Sequence, residues 1–215
     1  MKSIFITATN TDIGKTYATL LLLEEFAKKG YKVGAFKPIE TGVKSAPQDG
    51  QKLLDKCKEL NDSFKSVVIE DIVPVTFSLP AAPFVAKGDK DIDFKKIKDS
   101  FEKLSKICDI LLVEGAGGLL VPVDKNFFMV DFIDFFDISS TLLVTHNKLG
   151  CINDTLLSLE ILKKTKKPFM WCINEKEIVP DFDKITPPYY LHKFKKEIFY
   201  LNRNIETVAN NLLII

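Results

Sequence analysis

Residues 8–16, ATNTDIGKT, connect a short apolar run to a longer segment with helical periodicity. The run at residues 3–7 (SIFIT) predicts a β-strand because it is largely apolar and β-branched. Residues 15–29 predict a helix, since leucine and phenylalanine side chains recur on one side of the segment and Gly30 follows it. A glycine-lysine-threonine turn between a strand and a helix is typical of a phosphate-binding loop.

Most of the pattern GxxxxGK[ST] is present in this segment. Gly14, Lys15 and Thr16 complete its second half, whereas Thr9 occupies the place of the first glycine. In this pattern, loop N–H groups and the helix N-terminus bind phosphate oxygens, the lysine reaches the outer phosphates and the hydroxyl binds magnesium. We therefore predict a nucleotide-binding P-loop rather than a surface turn that happens to contain these residues.

The rest of the chain continues the alternation of strands and helices. Predicted strands cover residues 32–36, 110–113, 141–144 and 169–173, and predicted helices cover 94–104 and 154–164. Continuous apolar runs are typical of strands that are covered on both faces. The pattern predicts an α/β, three-layer P-loop NTPase fold, with a mostly parallel central sheet flanked by helices, in a single domain of residues 1–215. Residues 176–200 show the weakest pattern.

The composition excludes several classes of protein. The chain has 215 residues, 46% hydrophobic and 27% charged, which is ordinary for a folded protein. A net charge of +1 gives no long-range attraction to nucleic acid or anionic lipid, so neither is a predicted partner. The start of the chain lacks a signal-peptide pattern, and no apolar run approaches the roughly 18 residues that span a membrane. We expect a cytoplasmic protein.

Single residues outside the motifs are predicted to be structural. The four cysteines form no CxxC pair or Cys/His cluster, which argues against a zinc site, and Cys108 and Cys172 are predicted core residues. His146 and His192 have no partner visible in the sequence. Trp171 is predicted to be packed in a strand. Five phenylalanines are predicted to be core or dimer contacts: Phe127, Phe128, Phe132, Phe135 and Phe136.

Further motifs follow other predicted strands, at the edge of the sheet where ligands collect. Glu114 ends one strand and precedes a glycine-rich turn, a position where P-loop enzymes hold magnesium. Lys37 ends another strand and would add a positive charge near a transferred phosphate. Residues 147–153, NKLGCIN, begin like the guanine-reading NKxD motif, but Gly150 stands at the aspartate, which disfavours a GTP switch.

In this order and spacing, the motifs resemble the dethiobiotin synthetase family over residues 2–174. Family members have a GTDTxVGKT-like loop, a KPxxSG segment, VEGAGG and KLGCIN. This chain has ATNTDIGKT, KPIETG, VEGAGG and KLGCIN. Ala8 and Asn10 depart from the first motif, where the family has glycine and aspartate, and Thr41 replaces serine while keeping the hydroxyl.

The resemblance implies a ligase that uses ATP, CO₂ and 7,8-diaminopelargonate to form dethiobiotin, ADP and phosphate, with Mg²⁺ as cofactor. It implies that Lys37 and Lys15 are catalytic and that Thr16, Asp49 and Glu114 hold the metal. Asp55 stays open as a rival to Asp49, because the sequence around Asp49 does not align cleanly.

The resemblance also implies a set of binding residues. Substrate-binding residues would be Thr11, Thr41, Leu149, Gly150, Cys151 and Asn153. The nucleotide would contact Asp12, Ile13, Gly14, Lys15, Thr16, Tyr17, Asp49, Glu114, Gly115, Ala116, Gly117 and Asn174. In this family a second subunit completes the substrate site, so residues 149–153 are expected to present a helix N-terminus across a symmetric homodimer.

Two other classes share the fold. Partitioning and positioning ATPases carry a second lysine five places before the P-loop lysine, and Asn10 stands there in this chain. Ring- or amide-forming ligases such as cobyrinate amidases need a glutaminase domain with a nucleophilic cysteine, which 215 residues do not accommodate. Both are weaker interpretations than a dethiobiotin synthetase.

Overall fold

Strands and helices alternate along much of the chain, and the last three elements are helices. A computed structural model describes residues 1–176 and 178–215. The strands are β1 (Lys2–Ala8), β2 (Val33–Phe36), β3 (Ile39–Thr41), β4 (Val75–Phe77), β5 (Ile110–Glu114), β6 (Pro122–Asp124), β7 (Phe127–Phe128), β8 (Ser140–His146) and β9 (Phe169–Asn174). The α-helices are α1 (Lys15–Lys28), α2 (Gln48–Leu60), α3 (Ile69–Ile72), α4 (Pro83–Ala86), α5 (Phe94–Ser105), α6 (Phe132–Phe135), α7 (Cys151–Lys164), α8 (Phe182–Ile185), α9 (Pro187–Phe194) and α10 (Ile205–Ile214).

Five parallel strands form the central sheet in the order β2-β5-β1-β8-β9. In register, Ile6 of β1 lies opposite Glu114 of β5 on one side and Leu142 of β8 on the other. Every residue of β2 and β5 is buried, as expected for strands covered on both faces. The predicted α/β architecture with a parallel sheet and flanking helices is confirmed, and each predicted element is present to within a few residues of its predicted bounds.

The predicted core residues are largely where the sequence places them. Cys108 and Cys172 are buried, as predicted. Phe132 and Phe136 stack with ring centroids 5.3 Å apart inside the core, so these rings do not form a ligand-binding box. Phe127 and Phe135 are partly buried and pack against the same cluster. Phe128 is exposed, which contradicts a core role for this one side chain.

The tail that follows β9 has structure that the sequence did not predict. The N–H of Ile173 in β9 donates to the carbonyl of Phe199 at 2.8 Å, and the N–H of Leu201 donates to the carbonyl of Ile173 at 2.8 Å. Tyr200 thereby forms a parallel bridge with Ile173 on the side of β9 that faces away from β8. Tyr190 of α9 packs edge-on against Trp171, with ring centroids 4.8 Å apart.

Among the described residues, no helix is long and apolar enough to cross a membrane.

Candidate active site at the carboxyl edge of the sheet

A cavity of about 740 Å³ opens where the P-loop, the end of β2 and the turn after β5 meet. Eleven of the predicted site residues line it: Thr11, Asp12, Gly14, Lys15, Thr16, Tyr17, Lys37, Thr41, Asp49, Ala116 and Gly117. Three of the four sequence motifs, the P-loop, KPIETG and VEGAGG, therefore converge on one space, as expected for the carboxyl ends of parallel strands.

The P-loop wraps around the N-terminus of α1. Gly14 adopts the left-handed conformation (φ 101°) that glycine tolerates best, and it precedes the first helical residue, Lys15. The Lys15 ammonium donates to the carbonyl of Asn10 at 3.1 Å, so the side chain folds back over the loop. Asn174 at the end of β9 also stabilises the loop, since its Nδ2 donates to the carbonyl of Ile13 at 2.7 Å.

Glu114 is the centre of a buried polar network beneath the cavity. Its carboxylate is fully buried. Oε1 accepts from the Lys37 Nζ at 2.6 Å and from the Thr16 hydroxyl at 2.9 Å, and Oε2 lies 2.8 Å from the Thr19 hydroxyl. A buried carboxylate needs such partners, because an unpaired charge in the interior is costly. The network holds Lys37, the catalytic candidate, and Thr16, a candidate metal ligand, in one place before any ligand binds.

The two lysines have opposite pKa shifts. Burial alone would lower the pKa of Lys37, but the neighbouring carboxylates of Glu114 and Asp49 outweigh it, and the pKa is raised. Burial lowers the pKa of Lys15 to about 8; the charge of Lys37 adds to this effect, while nearby carboxylates oppose it. Lys37 therefore stays charged at neutral pH, whereas the charge of Lys15 depends on pH and on what binds beside it.

Asp49 lies at the cavity and Asp55 does not. The Asp49 Oδ2 is 3.7 Å from the Lys37 Nζ, and its side chain is partly exposed. Asp55, one and a half turns further along α2, accepts from the Gln51 side chain at 2.8 Å on the exposed side of the helix. Of the two carboxylates that the sequence left open, the geometry favours Asp49.

The oxygen donors at the cavity suit a magnesium ion that is shared with phosphates. Thr16, Asp49 and Glu114 supply a hydroxyl and two carboxylates, the ligand chemistry that Mg²⁺ prefers. Within the described part of the chain, no cluster of three or more His, Cys, Asp or Glu side chains could hold a metal by itself.

Some predicted residues lie away from the cavity. Leu149 is 94% exposed, and Gly150 (φ 97°) precedes the first residue of α7. The Cys151 side chain is buried among residues of α8 and α9, so only its backbone is available to a ligand. The Asn153 Nδ2 donates to Asp154 at 3.2 Å. In a single chain, this segment does not reach the cavity formed by the P-loop.

Four polar residues of the cavity or the network were not predicted from the sequence. Thr19 is fully buried one turn after Lys15, so it lies on the helix face that carries Lys15 and Thr16. Glu40 and Lys52 line the cavity beside Asp49, and Lys176 donates to the carbonyl of Asp12 at 3.1 Å. Helical spacing from Lys15 could have identified Thr19; the other three depend on tertiary contacts.

His146, one of the two histidines left unassigned by the sequence, has a structural partner. The His146 Nε2 lies 3.1 Å from the Asp154 carboxylate, and its Nδ1 accepts from the N–H of Lys148 at 3.2 Å. These contacts tie the end of β8 to the first turn of α7, which is consistent with the predicted background role.

Comparison with known proteins places these observations in a family. A family model described as an AAA domain matches residues 2–198. The ATP-dependent dethiobiotin synthetase of Sulfurovum sp. is 51% identical over 190 residues, covering 88% of this chain and 90% of its own length. The enzyme of the same name from Wolinella succinogenes is 35% identical over 216 residues, covering 99% of both chains.

Solved structures show the same fold at much lower identity. The MinD cell division protein of Aquifex aeolicus superposes with a TM-score of 0.55 at 19% identity, covering 99% of this chain and 87% of that one. A plasmid partition protein of Borrelia burgdorferi gives a TM-score of 0.56 at 11% identity, covering 99% and 96%. At this level of identity the likeness extends to the fold alone.

Proposed function

This chain belongs to the ATP-dependent dethiobiotin synthetase family, and we propose that its single domain closes a ureido ring on 7,8-diaminopelargonate with CO₂ as the source of carbon. The structural observation that carries the proposal is the placement of two buried ammonium groups, Lys15 and Lys37, at one cavity beside a P-loop. The product would be dethiobiotin, with ADP and phosphate released.

The proposed reaction has three steps. One neutral amine of the diamine adds to CO₂, giving a carbamate anion and a proton. A carbamate oxygen attacks the γ-phosphorus of ATP, ADP leaves, and a mixed carbamic-phosphoric anhydride forms. The second amine then attacks the carbonyl carbon, expels inorganic phosphate and closes the ring.

The protein's main task in this reaction is electrostatic. An anion that attacks a polyanion needs concentrated positive charge where the two meet. Lys37, whose raised pKa keeps it protonated, would lie at that point, and Lys15 would contact the outer phosphates. Thr11 and Thr41 line the same cavity and would orient the carbamate and the substrate chain.

Magnesium would be held by Thr16, Asp49 and Glu114. A Mg²⁺ ion held there would neutralise phosphate charge during phosphoryl transfer. In the ligand-free protein, the Glu114 Oε1 is shared by Lys37 and Thr16. Release of Lys37 from Glu114 would free the carboxylate for the metal and the ammonium for the substrate.

The nucleotide would bind along the P-loop and the turn after β5. Its phosphates would meet the N–H groups of residues 12–17, and Glu114, Gly115, Ala116 and Gly117 would border them. Asn174 would contact the base: its Oδ1 is buried and accepts no hydrogen bond from the described residues, an unfavourable state that a donor on the base would relieve.

A symmetric homodimer in the cytoplasm completes the proposal. The N-terminus of α7, with Leu149, Gly150, Cys151 and Asn153, would bind the substrate carboxylate in the partner's cavity through backbone N–H groups. The separation of this segment from its own chain's cavity supports that arrangement. Asn10, where partitioning ATPases carry a lysine that crosses to the partner's ATP, argues against a switch of that type.

The pKa of Lys15 predicts that ATP binding takes up protons. At pH 8, near the pKa of about 8, roughly half of the ligand-free molecules carry a neutral Lys15. Because bound phosphate favours the ammonium form, binding should take up about half a proton at pH 8, and affinity should fall by up to about tenfold per pH unit above it. Calorimetry in buffers with different ionisation enthalpies measures this uptake.

Lys15→Arg is the control for the predicted proton uptake. In Lys15→Arg the side chain is charged throughout the range, so the proton uptake should disappear even though the binding itself is weaker. A wild-type binding enthalpy that is independent of the buffer at pH 8 would contradict the assignment of Lys15 to the phosphates.

The reaction itself is tested by its dependence on the second amine. Phosphate release from Mg-ATP in bicarbonate buffer should rise strongly with 7,8-diaminopelargonate and should equal the dethiobiotin formed. A monoamine of the same length can form a carbamate but cannot close the ring, so it should give no ring product. A rate of ATP hydrolysis that is the same with and without the diamine would overturn the proposed function. The protein would then be a P-loop ATPase of another kind.

A further inference from the structure

Helix α2 begins without a cap from its own segment. The residue before it is Pro47, whose side chain cannot accept a hydrogen bond. The free N–H groups of the first turn are instead bound by Glu40, a residue of β3: Asp49 donates to Oε1 at 3.1 Å and Gly50 donates to Oε2 at 2.9 Å. A carboxylate at a helix N-terminus is favourable because it accepts these bonds and complements the helix dipole.

This contact is buried and tightly packed. Glu40 is 8% exposed and borders both the main cavity and an adjoining pocket of about 310 Å³. There is no space for a side chain at Gly50, since an added Cβ would lie 2.1 Å from the Val73 side chain and 3.4 Å from the Glu40 Oε2. The first turn of α2 is therefore held against β3 by both packing and hydrogen bonds.

Asp49 depends on this attachment for its position. Its N–H is one of the two groups that Glu40 binds, and its carboxylate points to the Lys37 Nζ at 3.7 Å. Among the described residues, the other carboxylate oxygen, Oδ1, has only the exposed Lys52 Nζ as an ionic partner, at 3.5 Å. Because the Asp49 side chain is partly exposed and weakly bonded, the backbone attachment is what determines where its carboxylate lies.

We propose that Glu40 is a positioning residue that fixes Asp49 for magnesium binding. This inference rests on the proposed function only in that it assigns Asp49 to the metal. Glu40 acts through the backbone of Asp49 and Gly50, and it does not itself bind the metal or the substrate. Removing the carboxylate leaves two buried N–H groups without partners and lets the first turn of α2 move away from Lys37.

The test compares magnesium dependence in matched variants. Glu40→Ala removes both acceptors, whereas Glu40→Gln keeps one acceptor oxygen. Calorimetric binding of a non-hydrolysable ATP analogue, repeated over a range of Mg²⁺ concentrations, measures metal affinity without turnover. We expect Glu40→Ala to raise the half-saturating Mg²⁺ concentration by about tenfold, the effect typical of removing a residue that orients a metal ligand, and Glu40→Gln to recover at least half of that loss on a logarithmic scale.

A second comparison shows whether Glu40 acts through Asp49. In an Asp49→Asn background, Glu40→Ala should add less than about twofold, because the carboxylate that it positions is already absent. Glu25→Ala is the matched control. Glu25 is about as buried as Glu40, but it forms ion pairs with lysines and lies on α1 outside the cavity. Its Mg²⁺ dependence should match the wild type.

Three results would overturn the inference. Additive effects of the two variants would show that Glu40 does not act through Asp49. A higher KM for the diamine at unchanged Mg²⁺ dependence would make Glu40 a substrate contact. An Asp49→Asn protein with normal Mg²⁺ dependence would show that Asp49 does not bind the metal, so Glu40 would have no metal ligand to position. If Glu40→Ala does not fold, as thermal unfolding would reveal, Glu40→Gln carries the same comparison with an expected rise of about threefold.

Failure of the proposed function is a separate outcome. The calorimetric experiment does not use the diamine, so it still tests Glu40 if wild-type phosphate release proves independent of the diamine.

Discussion

Replacing Lys37 with methionine is expected to reduce kcat for diamine-dependent phosphate release by about 10³-fold. Methionine keeps the length of the side chain and removes its charge. Lys37 is 4% exposed, so water cannot substitute for its ammonium group where the carbamate meets the phosphate. ATP affinity should change far less, because the P-loop supplies most of the phosphate contacts.

The same substitution should also destabilise the ligand-free protein. Lys37 is the cation that pairs with Glu114 at 2.6 Å, and that carboxylate is fully buried. Breaking a buried pair by removing one partner typically costs about 3 kcal/mol or more, because the remaining charge is uncompensated. Urea unfolding at neutral pH, compared with that of the wild type, measures the loss in the free energy of unfolding.

Lys56→Met is the control for Lys37→Met. Lys56 lies on α2 and pairs with Glu24 and Glu59 at the surface, outside the cavity. Its loss removes an equal charge and should leave kcat unchanged. A Lys37→Met protein that keeps more than a tenth of the wild-type kcat would contradict the assignment of Lys37 as the catalytic lysine.

Gly14→Ala is expected to weaken ATP binding by about 100-fold. The left-handed backbone at Gly14 already disfavours a side chain, at a cost of about 1 kcal/mol. The added Cβ would also lie 2.3 Å from the Asn174 Nδ2, a distance that cannot be accommodated without movement. Either Asn174 leaves the carbonyl of Ile13 or the P-loop shifts, and both changes disturb the groups expected to bind phosphate and base.

Gly30→Ala separates the two causes. Gly30 follows α1, has φ 88°, and would have no atom within 4 Å of an added Cβ. It therefore carries similar backbone strain without the steric clash. Both variants should lower the free energy of unfolding by about 1 kcal/mol or more, but only Gly14→Ala should lose ATP affinity in a titration. Equal affinities in the two variants would show that the contact with Asn174 does not matter for binding.

Sequence reasoning succeeded where the structural signal is local. Residues 110–113 are a continuous apolar run, and a parallel strand covered on both faces needs such a run. Lys15, Lys37 and Glu114 could be placed together because Lys37 and Glu114 stand at the ends of strands and Lys15 begins the helix after another, and parallel strands end at the same edge of the sheet. These inferences need no knowledge of how the helices pack.

Where the structure depends on contacts between distant segments, the sequence was less informative. Glu40 directly follows the KPI segment, yet nothing in the sequence indicates that it caps a helix nine residues later. The partner of His146 is Asp154, which becomes a neighbour only once the end of β8 lies beside the first turn of α7. Residues 176–200 show little apolar periodicity, and the pairing of Tyr200 with Ile173 is fixed by tertiary contacts.

That pairing has a consequence for self-association. β9 is the last strand of the sheet, and without the segment around Tyr200 its outer N–H and C=O groups would be open to a strand from another molecule. Because the segment occupies Ile173 through two hydrogen bonds, it closes part of this edge. The tail thus protects part of this edge against strand addition by another molecule, and it does so through backbone hydrogen bonds.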